Sequence, residues 1–106
     1  MTQPATPRVG HSPIKMRLVS DEDAVENVGD FAWWTNDAGV RHIKMAVPRG
    51  DDTHWLFCVI PVKQGQNETG KHWGWDGNED VPTLTPSVHH IGHWHGWVRA
   101  GALVEA

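Results

Sequence analysis

Phe31-Ala-Trp-Trp-Thr-Asn-Asp-Ala-Gly-Val-Arg-His-Ile-Lys-Met-Ala-Val47 places two apolar runs on either side of Asn36-Asp-Ala-Gly39. Both runs have strand length and are rich in aromatic or β-branched residues, and Gly39 suits the left-handed position of a short hairpin loop. The reading is an antiparallel hairpin, Phe31 to Thr35 against Val40 to Val47. In its second strand Ile43, Met45 and Val47 share one face and His42, Lys44 and Ala46 the other, so His42 starts on the wetter side.

Working outward, Pro48-Arg-Gly-Asp-Asp52 is a turn by composition, and Thr53 to Val62 is an apolar run that reads as the central strand. Lys63 to Gly70 has almost nothing to bury and reads as a loop. His72-Trp-Gly-Trp75, Thr83 to His90 (interrupted by Pro86) and Gly92 to Arg99 are further strand segments, and Arg99-Ala-Gly-Ala102 is a tight turn into Leu103-Val104. On the N-terminal side Lys15 to Ser20, with Met16 and Leu18 alternating, reads as a first edge strand. Ser20 to Gly29 opens with a capping-type serine and acidic residues and closes on glycine, which predicts one or two helical turns. Residues 1–14 carry Pro4, Pro7 and Pro13 and read as an extended or disordered arm. The fold class is all-β or mainly β: a small antiparallel sandwich or partial barrel of about seven short strands over residues 15–106.

A chain of 106 residues supports one domain, and its seven tryptophans can supply much of a small core. The net charge is −4 with histidine neutral, without any run of lysine or arginine, which argues against a surface that tracks nucleic-acid phosphates. Eight histidines would carry that charge to +4 if all were protonated, so its sign depends on pH. The single cysteine, Cys58, has no internal disulfide partner and reads as a buried strand residue. With neither a signal-type opening nor an apolar run of ~18 residues, the expected location is a reducing cytoplasm, away from the membrane.

His89-His-Ile-Gly-His-Trp-His-Gly-Trp97 gathers four of the histidines. On a strand, His93 and His95 project to one face with Cα atoms roughly 6.5–7 Å apart, close enough for two imidazoles to reach one ion. Completion of a zinc site, or of another divalent transition-metal site, needs further ligands. His42, His89 and His90 are candidates, with Glu79, Asp80 and Glu105 as carboxylates; the expected metal set is His42, His89, His93 and His95. The alternative is histidines that pack among tryptophans. Trp73 and Trp75 share a face, either as core or as an exposed platform. Ser20 and Ser87 lie in no nucleophile-elbow context, no phosphate-cradling glycine loop precedes a helix, and the acidic pairs sit in turns, so no catalytic residue is expected.

Trp73-Gly-Trp-Asp-Gly-Asn78, Pro82-Thr-Leu-Thr-Pro-Ser-Val88 and Trp94-His-Gly-Trp-Val-Arg-Ala-Gly101 together resemble a family of small phage and prophage proteins often mislabelled as ammonia monooxygenase. Its pattern is W-x-W-(N/D)-G, then P-T-x-(S/T)-P-S, then a Cys-His or Trp-His pair. His95 matches the family histidine, and His42 resembles the one after the family's N-terminal cysteine pair. This chain lacks that pair, and one cysteine cannot supply a thiolate zinc site. The resemblance implies a phage-encoded protein in the host cytoplasm or the virion. The expected function is non-enzymatic binding of a host or virion protein, with a histidine-bound structural metal. The alternatives are a cupin-like histidine-ligated metalloenzyme and a structural virion component that forms homo-oligomers through its arm.

Overall fold

The computed structural model describes residues 13–48, 55–65, 71–90 and 94–106. Among the described residues ten strands run in chain order: β1 (Ile14–Lys15), β2 (Arg17–Leu18), β3 (Asp30–Thr35), β4 (Arg41–Pro48), β5 (Trp55–Gln64), β6 (Trp73–Trp75), β7 (Leu84–Thr85), β8 (Val88–His90), β9 (Trp94–Arg99) and β10 (Ala102–Glu105). They form a four-stranded sheet, β1-β10-β9-β8, and a six-stranded sheet, β2-β3-β4-β5-β6-β7, neither closed into a barrel. No helix among the described residues is long and apolar enough to cross a membrane.

The opening hairpin forms as its pattern requires. β3 and β4 pair antiparallel with Trp33 opposite Ile43 and Trp34 opposite His42. Gly39 sits at φ +82° in the loop, where Asn36 N–H donates to the Val40 carbonyl and Gly39 N–H to the Asn36 carbonyl. β5 lies inside its sheet, as expected of the central strand. The inner faces of both sheets share one core: Phe31, Ile43, Met45, Ile60 and Val62 from one side meet Val88, Trp94, Val98 and Leu103 from the other. Each such aliphatic or phenyl side chain contributes about 1.5–3 kcal/mol by leaving water.

Two expected strands are split because the chain changes sheets within them. Lys15 to Ser20 divides between β1, which pairs with β10, and β2, which pairs parallel with β3; Met16 is buried at the crossing and Leu18 is exposed. Thr83 to His90 divides at Pro86, which has no N–H to donate to a ladder: β7 pairs with β6 in the larger sheet and β8 with β9 in the smaller. These two splits carry the count beyond seven, and the β2-β3 and β5-β6 pairs are parallel within an otherwise antiparallel arrangement.

The helix expected over Ser20 to Gly29 is only a single 3-10 turn, Glu22–Ala24, capped by Asp21. Helix propagation stops because the N–H groups of Glu26 and Asn27 go to the carboxylate of Asp30, which also takes two bonds from the Arg17 guanidinium. Asp30 is buried, and the Arg17 hydrogen bonds, followed by those from the backbone, hold its carboxyl below the usual range despite the opposing effect of burial. Of the proposed arm, residues 1–12 lie outside the described residues, and Ile14 belongs to β1.

Candidate active site

The smaller sheet presents its outer face through β8 and β9. Val88, Trp94 and Val98 are buried on the core side, so the two-residue alternation sends Ser87, His89, His95 and Trp97 to the opposite side. His89 stands directly across from His95 in the register. Ala106 N–H donates to the His95 carbonyl, so the polar backbone groups of His95 point toward β10 and its pairing with His89 is of the closer, non-hydrogen-bonded kind. The two imidazoles accordingly lie face to face, with centroids 4.7 Å apart and planes 31° apart.

Ser87, two residues before His89, is the diagonal neighbour of His95, a separation that a serine and an imidazole can bridge. His95 Nε2 is 2.9 Å from Ser87 Oγ. With its proton on Nδ1, His95 accepts the serine hydroxyl at Nε2, the arrangement in which an imidazole can take the proton as oxygen attacks a carbonyl. No Asp or Glu among the described residues bonds to His95; the group packed on it is the His89 ring.

Surrounding residues fix this pair. Trp73 Nε1 donates to the Ser87 carbonyl at 3.3 Å, linking β6 to the start of β8. Gly96 leaves room for the Trp94 indole: a Cβ there would lie 2.3 Å from Trp94 Cζ2 and 2.6 Å from the Val104 carbonyl oxygen. His95 is therefore held between a buried tryptophan and a glycine that the tryptophan covers. Trp75 packs on Trp33 with centroids 4.6 Å apart and donates to the Asn78 carbonyl, while Asp76 accepts from the backbone of Asn78 and Thr83. The Trp-Gly-Trp-Asp-Gly-Asn block thus shapes the turn that leads into β7 and Ser87, and Trp73 and Trp75 are half-buried, with separate partners.

The structure unites two of the four residues of the expected metal set. His89 and His95 meet; His93 lies outside the described residues. His42 sits on the outer face of the larger sheet, stacked on Trp34 at 4.9 Å with Nδ1 3.0 Å from the Val40 carbonyl. Because sheets stack about 10 Å apart, His42 and His95 project from opposite sides of the sandwich. Among the described residues no group of three or more His, Cys, Asp or Glu side chains gathers as a metal centre would.

The sequence reading set Ser87 aside because it sought the strand–turn–helix elbow of α/β enzymes, and it did not foresee the contact with His95. In an all-β domain the serine and histidine come from neighbouring strands, and the register of a hairpin decides whether they meet. The available signal was Pro-Ser in the Pro82–Val88 block, eight residues before His95 with a glycine between, a spacing that a short hairpin folds back on itself.

Residues 32–106 match the family model BubE, described as a bacterial ubiquitination-like system serine protease. No curated protein and no solved structure matches the chain. The matched span contains Ser87, His89 and His95. This finding overturns the expectation of a non-enzymatic binding protein for a host or virion partner, and the cupin-like and virion alternatives fall with it. The non-enzymatic reading rested on the family resemblance, the missing catalytic set and the acidic surface; the cupin-like reading rested on the histidines and the virion reading on the proline-rich arm.

Proposed function

The chain belongs to the BubE family of bacterial ubiquitination-like system serine proteases, and from that premise we propose that it hydrolyses an amide bond in a protein substrate of such a system, using Ser87 as nucleophile and His95 as general base. The observation that carries the assignment is the 2.9 Å contact between His95 Nε2 and Ser87 Oγ on an open sheet face.

In this mechanism Ser87 Oγ attacks the substrate carbonyl carbon while His95 Nε2 takes the hydroxyl proton. The tetrahedral oxyanion collapses, the carbon–nitrogen bond breaks, and His95 returns the proton to the leaving amine. Water then enters, His95 takes one of its protons, and the resulting attack on the ester carbonyl releases the acid and restores the Ser87 hydroxyl. His89 acts through His95: its ring blocks one face of the imidazole and limits rotation away from Ser87. His89 and His95 are exposed and Ser87 is half-buried, so a protein tail can approach the pair from the outer face of the sheet.

The test is cleavage of a ubiquitin-like protein carrying a C-terminal fusion. Ser87→Ala and His95→Ala each lower the rate by roughly 10³-fold or more, and the double variant is little worse than either, as expected for residues that act together. Full activity in Ser87→Ala with a native fold would refute the assignment.

A further inference from the structure

β8 is the last strand of its sheet, and the orientation of its backbone bears on how substrate reaches Ser87. The close, non-hydrogen-bonded pairing of His89 with His95 turns the N–H and C=O of His89 away from β9 and out toward the free edge. Ser87, two residues earlier, has the same orientation, and its carbonyl accordingly accepts from Trp73 rather than from β9. That leaves the Ser87 N–H and both polar backbone groups of His89 on an edge where no described strand pairs with them. The nucleophilic oxygen belongs to the residue immediately before this short strand.

We propose that the substrate binds as an extended, unfolded tail that adds a strand to the outer edge of β8. This inference rests on the Ser87–His95 reading and names the form in which substrate meets that site. One residue of the tail exchanges backbone hydrogen bonds with His89, which fixes the tail's register by main chain rather than by side chains. That register brings the tail's scissile carbonyl carbon up to Ser87 Oγ. Trp73 closes the edge at the Ser87 carbonyl, and Pro86 offers no donor beyond it, so the available edge begins at the His89 N–H, just past the nucleophile, and runs toward His90. A folded protein offers free main-chain groups only along an exposed sheet edge, whereas an unfolded tail offers them along its whole length.

The experiment uses the full chain and two kinds of serine-directed probe. A small alkyl fluorophosphonate, which has no peptide backbone, reports whether Ser87 is reactive. A set of acetylated tetrapeptidyl diphenyl phosphonates, identical except for a single backbone N-methyl group moved along the peptide, reports strand pairing. Methylation at the residue opposite His89 slows labelling of Ser87 by roughly fivefold or more, whereas methylation at either neighbour changes it by less than about twofold. In the peptidyl adduct the His89 amide also gains protection from hydrogen exchange, and in the alkyl adduct it does not. If both probes label Ser87 but N-methylation is neutral at every position and His89 gains no protection, edge pairing is wrong and the proposed function stands. If neither probe labels Ser87, both are wrong.

Discussion

Substitution of Gly96 by alanine tests how the core positions His95. The added methyl would lie 2.3 Å from Trp94 Cζ2, 2.6 Å from Trp94 Cη2 and 2.6 Å from the Val104 carbonyl oxygen. Carbon atoms in contact prefer about 3.5–4.0 Å, so the indole must retreat by more than an ångström or β10 must separate from β9. Trp94 is only 3% exposed, and Val104 is paired with Trp97, so neither movement is free. Overpacking of this kind costs about 1–3 kcal/mol. For a domain of this size each kcal/mol lowers Tm by roughly 4–8 °C. Calorimetry and urea unfolding of Gly96→Ala measure the loss, and the rate of Ser87 modification by an alkyl fluorophosphonate measures the effect on the site. Trp94→Leu removes the two closest atoms, so the double variant recovers part of the cost that its single variants sum to; the Val104 contact keeps recovery incomplete. Tolerance of Gly96→Ala within about 0.5 kcal/mol, with unchanged Ser87 reactivity, would refute the placement of His95 by this packing.

His89→Ala removes the ring packed on His95 and lowers kcat roughly 10- to 100-fold with little change in KM, while His89→Phe restores much of the rate; equal losses in both variants would mean that stacking is not what positions the base. Asp30 has a lowered carboxyl pKa in the folded chain, so its stabilisation is present above the ordinary value of about 3.9 and is lost as pH falls through the lower folded value. Asp30→Asn therefore loses stability at pH 7, roughly 1–3 kcal/mol by urea unfolding, and flattens the acid limb; an unchanged acid limb would contradict this. Ala100 and Gly101 both have positive φ in the β9-β10 turn, and Ala100 is exposed. Ala100→Asn suits that turn better and raises stability by about 0.5–1 kcal/mol, which a thermal melt reads directly. Burial pushes the Cys58 thiol up to about 11, so thiol reagents at pH 8 react slowly with native protein and leave hydrolysis intact; rapid inactivation would point to a cysteine mechanism.

The strands were legible where a run had one exposed and one buried face. In the β3-β4 hairpin Ile43, Met45 and Val47 all face the core and Gly39 takes the left-handed loop position, while Ala32 and Ala46 on the other face are buried in a second cluster with Val25. The sheet changes at Met16 and Pro86 were not legible, because local alternation cannot say which neighbour a strand will pair with. Asp30 overrode the helical signal at Ser20 by capturing the nearby N–H groups of Glu26 and Asn27, and it is held there by Arg17, which the β2-β3 pairing brings to it. For the site, the outward placement of His95 was readable from alternation with Trp94. Its contact with Ser87 was not, because it depends on which residues of β8 and β9 stand opposite each other. His42 and His95 also looked compatible as ligands until the sandwich placed them on opposite faces.

The central claim is that Ser87, activated by His95, carries the reactive oxygen, and the most direct measurement is mass spectrometry of the full chain after treatment with an alkyl fluorophosphonate near neutral pH. The account predicts a single adduct on Ser87, lost in Ser87→Ala and formed roughly 10³-fold more slowly in His95→Ala. Absence of an adduct on Ser87, or an equal rate of labelling when His95 is removed, would contradict it.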